Sequence, residues 1–150
     1  MTEIEIFQGS VKEVVDLSVQ VPEFDDPHKN QVYHERLHNK DHLILIAKVK
    51  GVAAGFKVGY DKFEDGSFYS WMGGVLPEYR KLGVAKRLAE HQEQLATERG
   101  YEKIVLKTRN RHKNMLLFAI NSGFKIIKLI PAHNIDEHRI VLEKALTKHI

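Results

Sequence analysis

The segment Arg80-Lys81-Leu82-Gly83-Val84-Ala85 has the residue types and spacing to hold a phosphate-bearing ligand. It stands where a strand ending near Val75 meets a long helix. A helix start offers backbone N–H groups without internal partners, and the macrodipole favours negative charge there. Gly83 and Ala85 keep side-chain bulk away, so a pyrophosphate can approach the main chain closely. Arg80, Lys81 and Lys86 add positive charge around the same point. Two other nucleotide loops do not fit. There is no Gly-x-x-x-x-Gly-Lys-Ser/Thr, and no Gly-x-Gly-x-x-Gly at a strand-to-helix turn. On spacing alone, an ordinary helix start with solvated basic residues also suits this segment.

Other chemistry is sparse. The chain has no cysteine, which excludes disulfides and a thiolate nucleophile and fits a reducing cytoplasm. No Ser/His/Asp arrangement stands out, so no covalent acyl-enzyme is expected. His34 and His38 are four apart on an expected helix. No third ligand accompanies them at a recognisable spacing, and nine histidines make chance pairs easy, so no metal site is expected.

The elements that must position the turn follow from local signals. Ile4 to Phe7 reads as a first strand, and Ser10-Val11-Lys12-Glu13 as a capping box opening a helix. Asp26 before Pro27 predicts the start of a second helix running to about Leu37. Strands are expected over His42 to Val49, Val52 to Tyr60 and Ser67 to Val75, with turns at Lys50-Gly51 and Asp65-Gly66. From Lys81 to Arg99, Ala85, Leu88, Ala89, Leu95 and Ala96 recur at helical spacing, and Gly100 supplies a stop. Ile104-Val105-Leu106 is a short, fully apolar strand suited to a buried central position. A helix from Lys113 to Ser122 and strands over Phe124 to Ile130 and Arg139 to about Lys144 complete the order. This is a mixed α/β arrangement of antiparallel hairpins followed by a strand-helix-strand crossover.

With 150 residues, 43% hydrophobic and 29% charged, the chain suits a single globular domain over 1–150. The formal charge of +3 is scattered, which argues for an anionic small ligand more than for nucleic acid. No signal peptide or apolar run of membrane-spanning length is evident.

Val75-Leu76-Pro77-Glu78-Tyr79-Arg80-Lys81-Leu82-Gly83-Val84-Ala85, followed by a long helix, resembles the signature of the GNAT superfamily of N-acetyltransferases, its small bacterial members most. The resemblance covers nearly the whole chain. It implies a central, mostly antiparallel sheet of six to seven strands with a splayed strand pair and about four flanking helices. It implies acetyl-CoA as acyl donor, its pyrophosphate held at Arg80, Gly83 and Ala85, with Lys81, Leu82, Val84 and Lys86 lining the turn. Val75 matches the strand position whose backbone meets the pantetheine arm. Asn110 and Asn114 are candidates for a further polar contact to the cofactor, with a helix cap and a solvated helix residue as their alternative roles. Many relatives carry a Tyr four residues before a Gly-Phe pair, as acid for the leaving CoA thiolate. Here Gly123-Phe124 is present, but that position is Ala119, beside Phe118.

The acceptor implied is a primary amine of a small molecule or peptide. An alkylammonium with pKa about 10.4 makes attack through the free amine about 4 to 5 kcal/mol uphill at pH 7, so desolvation or a base must help. Some relatives place a Glu six residues before the position of Val75; here Tyr69 stands there, a poor base that can align water or the amine. Glu23 and Asp25 lie in a loop that lines the acceptor site in relatives, and Glu23 is the second catalytic candidate. Tyr33, Glu35, His133, Asp136, Glu137 and His138 are weaker ones, and all these residues also suit plain core or surface roles. An acyl-CoA-binding module without turnover is the alternative to an enzyme, and a nucleic-acid-associated protein is a third reading. Sheet edges in such folds often pair, which makes a homodimer one candidate assembly.

Overall fold

The Ser10–Glu13 capping box closes in both directions. The Glu13 N–H donates to Ser10 Oγ at 3.3 Å, and the Ser10 N–H donates to Glu13 Oε1 at 2.9 Å. It opens α1, Val11–Ser18, directly after β1, Ile4–Gln8. The computed structural model describes residues 3–147. Strands β2 (His42–Val49), β3 (Val52–Tyr60) and β4 (Ser67–Val75) have the bounds the sequence predicts. Lys50 and Gly51 both take positive φ, 50° and 82°, which is the tight hairpin turn expected there.

Two helices begin later than the sequence suggests. Helix α2 covers Asn30–Leu37, not a stretch from Pro27. Long-range packing overrides the Asp26-Pro27 signal: the His28 ring stacks on Trp71 at 5.6 Å, and Phe24 packs on Phe56 at 6.2 Å. Helix α3 covers Val84–Glu98 rather than starting at Lys81, because Lys81 and Gly83 both lie in the left-handed region. Strand β5, Lys103–Arg109, is longer than its apolar centre. Helix α4 (Lys113–Asn121), β6 (Lys125–Ile130) and β7 (Arg139–Ala145) follow.

The seven strands form one sheet in the order β1-β2-β3-β4-β5-β7-β6. Every neighbouring pair is antiparallel except β4 and β5, which α3 connects as a parallel crossover. Helices α1 and α2 cover one face over a core that includes Val14, Tyr33, Ile46 and Phe56. On the other face lie Leu88, Ala96, Ile104 and Leu142, under α3 and α4. Among the described residues no helix is long and apolar enough to cross a membrane.

Candidate active site

The site begins where β4 and β5 part. Their pairing covers only Ser67 to Ser70 against Lys103 to Leu106, yet β4 continues to Val75 and β5 to Arg109. On its other side β4 stays bound to β3, with a register shift that leaves Trp71 as an extra, unpaired residue. Leu76 N–H reaches Ala54 C=O at 2.8 Å. Strand alternation then turns the main-chain groups of Val75 and Gly73 away from β3 and into the gap. This is the splayed pair that the family resemblance implies.

The phosphate-type turn closes one end of the gap. Pro77–Tyr79 form a short 3-10 turn, Arg80 is extended, Lys81 has φ of 66°, and Gly83 caps α3 at φ 89°. From Lys81 through Lys86, no backbone N–H has a backbone partner among the described residues; the first such bond is Arg87 N–H to Gly83 C=O. A Cβ built at Gly83 would meet nothing within 4 Å, so the glycine faces open space. Leu82, Ala85 and Lys86 are exposed, whereas Val84 is buried and anchors the turn to the core. A row of free donors at a positive helix end, open to solvent and edged by lysines, suits a pyrophosphate.

Arg80 is held rather than free. Its Nε donates to Val75 C=O at 3.0 Å, and its second nitrogen lies 2.7 Å from Glu23 Oε1. The structure thus brings together a cofactor candidate and a catalytic candidate. The Arg80 hydrogen bond holds the Glu23 carboxyl below the usual range, so Glu23 is ionised near neutrality and a weak proton acceptor.

Tyr69 is buried at the last paired stretch of β4, edge-on to Tyr60 and Phe63. Burial, then the neighbouring Tyr60, pushes its phenol upward, so it stays protonated. Asn110 is used structurally: its amide donates to Ile135 C=O at 3.2 Å and fastens the 131–138 loop to the end of β5. In that loop Glu137 pairs with Arg109 and Arg111, and His138 Nδ1 accepts from Ala132 N–H. Asn114 is exposed on the first turn of α4. His34, Glu35, His38, Asp136 and His133 are also exposed, while Tyr33 is buried against Trp71.

Sequence reading missed Lys57. It lies on β3 opposite Gly73, its Nζ 3.7 Å from where a Gly73 Cβ would stand. Together with Ser70, Leu106, Phe118 and Ala119 it lines a small cavity under α3 and α4. Desolvation lowers its pKa to about 8, with Glu93 opposing weakly. Glu93 is itself bound to Lys144 at 2.6 Å. A lysine at an alternating strand position reads as solvent-facing, and only the two helices above it show otherwise. Ala119 and Lys57 thus line the same cavity.

The family model for the Acetyltransferase (GNAT) family matches residues 11–124. No curated protein sequence gives a significant match. The ribosomal-protein-S18-alanine N-acetyltransferase of Escherichia coli has a similar structure, with TM-score 0.82 at 14% identity over 99% of this chain and 97% of that one. Ard1 from Thermoplasma volcanium gives 0.81 at 17% identity, over 97% and 99%. The yncA protein of Salmonella typhimurium, solved with its cofactor acetyl-CoA, gives 0.74 at 13% identity, over 97% and 95%. The splayed strands, the donor-rich turn and the family match agree: the chain belongs to the acetyltransferase (GNAT) family, acyltransferases whose donor substrate is acetyl-CoA.

Proposed function

We propose that the chain is a single-domain N-acetyltransferase that moves acetyl directly from acetyl-CoA to a primary amine of a small molecule or peptide. The observation that carries this is the run of free N–H groups from Lys81 to Lys86, which follows the end of β4 after that strand parts from β5. Bound acetyl-CoA supplies an acetyl thioester. The turn residues Lys81, Leu82, Gly83, Val84, Ala85 and Lys86 hold the pyrophosphate. Arg80, oriented by Glu23, fixes the end of β4, and the Val75 N–H faces the pantetheine arm. Asn114 stands at the α4 start on the far side of the gap, and Asn110 keeps the adjoining loop in place.

Tyr69 serves as an aligning hydroxyl, not a base. Its oxygen makes no hydrogen bond among the described residues, which leaves it able to hold the amine or a water. Lys57 Nζ delivers a proton to the CoA sulfur as the carbon–sulfur bond breaks, a task for which a pKa of about 8 suits a thiol of pKa about 8.5. The acceptor nitrogen loses its proton to solvent. Exposed Ile126, Ile127 and Leu129 on the edge strand β6 support a homodimer through that edge.

A thiol-release assay with acetyl-CoA against amines, amino acids, polyamines and peptides tests the reading. Without cysteine in the chain, thiol reagents detect only released CoA. Amine-dependent release is expected. Tight acetyl-CoA binding with no release across the panel would contradict it and favour the binding module.

A further inference from the structure

On the α1/α2 face, basic side chains from four parts of the chain converge beside the point where β4 and β5 part. The Arg36 guanidinium of α2 lies 4.8 Å from the centre of the Trp71 ring. Lys62, just after β3, places Nζ 4.7 Å from the Tyr69 ring, and Lys107 of β5 places Nζ 5.9 Å from it. Arg139 of β7 is close enough to act electrostatically on both Lys62 and Tyr69. Among the described residues none of these four cations has an ion pair.

The nearby acids are engaged elsewhere. Glu23 holds Arg80, Glu137 holds Arg109 and Arg111, and Glu35 accepts from Gln31 at 2.8 Å. Burial first, then Lys107, Arg36 and Arg139, press Lys62 towards its neutral form, with no acid offsetting them. Cation–π contacts offset such repulsion only in part, at about 0.5–1 kcal/mol each where exposed. Uncompensated positive charge over an aromatic floor, at the lip of the gap, is the mark of a missing anion.

We infer that the acceptor amine carries a carboxylate or a phosphate, which Arg36, Lys62, Lys107 and Arg139 bind above Tyr69 and Trp71. The inference rests on the acetyltransferase reading and narrows its acceptor. The same cations disfavour an ammonium group, so the acceptor enters the site as its free amine and polyamines are excluded.

Trp71 is the only tryptophan, so its fluorescence reports occupancy of this patch without turnover. β-Alanine, O-phosphoethanolamine, ethanolamine and spermidine are titrated against the protein, and acetyl-CoA is titrated separately by calorimetry. The expected result is binding of at least one anionic amine about tenfold or more tighter than ethanolamine or spermidine, weakening as NaCl rises. The stronger of the two anionic arms tells carboxylate from phosphate. A double variant, Lys62→Ala with Lys107→Ala, should weaken the anion about tenfold while acetyl-CoA affinity is kept. Ethanolamine or spermidine binding as tightly as both anions overturns the inference. So does a lack of any anion response, a salt-independent one, or full anion affinity in the double variant. Failure of the parent to bind acetyl-CoA would contradict the acetyltransferase reading instead, and the fluorescence preference is read independently of it.

Discussion

Arg80 and Glu23, 57 residues apart in sequence, meet at 2.7 Å, and the same guanidinium donates to Val75 C=O. One side chain therefore joins the α1–α2 loop, the end of β4 and the entrance to the phosphate turn. Both partners are more than a third exposed, so the pair itself adds at most about 1 kcal/mol to stability. Its effect is on position. Glu23→Gln is expected to leave Tm nearly unchanged and kcat within about twofold, while raising KM for acetyl-CoA about threefold. Steady-state kinetics with acetyl-CoA varied checks this. A large fall in kcat at unchanged KM would restore Glu23 as a proton acceptor.

Lys57 makes a pH-dependent prediction. Its folded pKa of about 8 lies below the 10.5 of an unperturbed lysine, so the unfolded chain binds more protons between those values. Stability contributed at this site therefore rises with pH from about 8 to 10.5, and is reduced below 8 where the half-buried ammonium must be charged. Lys57→Met should remove that rise, measured by denaturant unfolding across this range against the parent.

The same variant tests the proton donor. In the parent, kcat/KM for acetyl-CoA should fall as pH climbs through about 8 and Lys57 loses its proton. Lys57→Met should lower the plateau by about 10- to 100-fold and abolish that falling limb. An unchanged profile would assign the site a purely structural role.

Tyr69→Phe removes only a hydroxyl without a partner among the described residues. Turnover is expected to fall several-fold, about 1 kcal/mol of alignment, with acetyl-CoA affinity and Tm kept. Equal turnover for variant and parent at every pH would remove Tyr69 from the mechanism.

Local signals made much of this molecule readable from sequence. The Ser10–Glu13 box, the Lys50-Gly51 hairpin and the Arg80–Ala85 turn each need only neighbouring residues. What was not legible depends on contacts between distant segments. The start of α2 is set by His28 and Phe24 packing onto Trp71 and Phe56, which the Asp26-Pro27 pair does not reveal. Positive φ at Lys81 delays α3, because a lysine carries no local mark of a left-handed backbone. Lys57 and the four cations around Tyr69 acquire their chemistry only when separate elements converge. The conformation of the Arg80–Ala85 turn is thus local and readable, and the side-chain groupings around Lys57 and Tyr69 are tertiary.

As the proposed seat of the acetyl-CoA pyrophosphate, the Lys81–Lys86 turn is the part of the site on which the rest depends. Calorimetric titration of acetyl-CoA into the parent and into Gly83→Glu tests it directly. The variant places a carboxylate among the free N–H groups at a φ of 89°, for about 1–2 kcal/mol of backbone strain, with no clash at the Cβ. It should remain folded by circular dichroism and show no measurable acetyl-CoA binding where the parent binds. A folded Gly83→Glu protein with the parent's affinity would contradict the assignment.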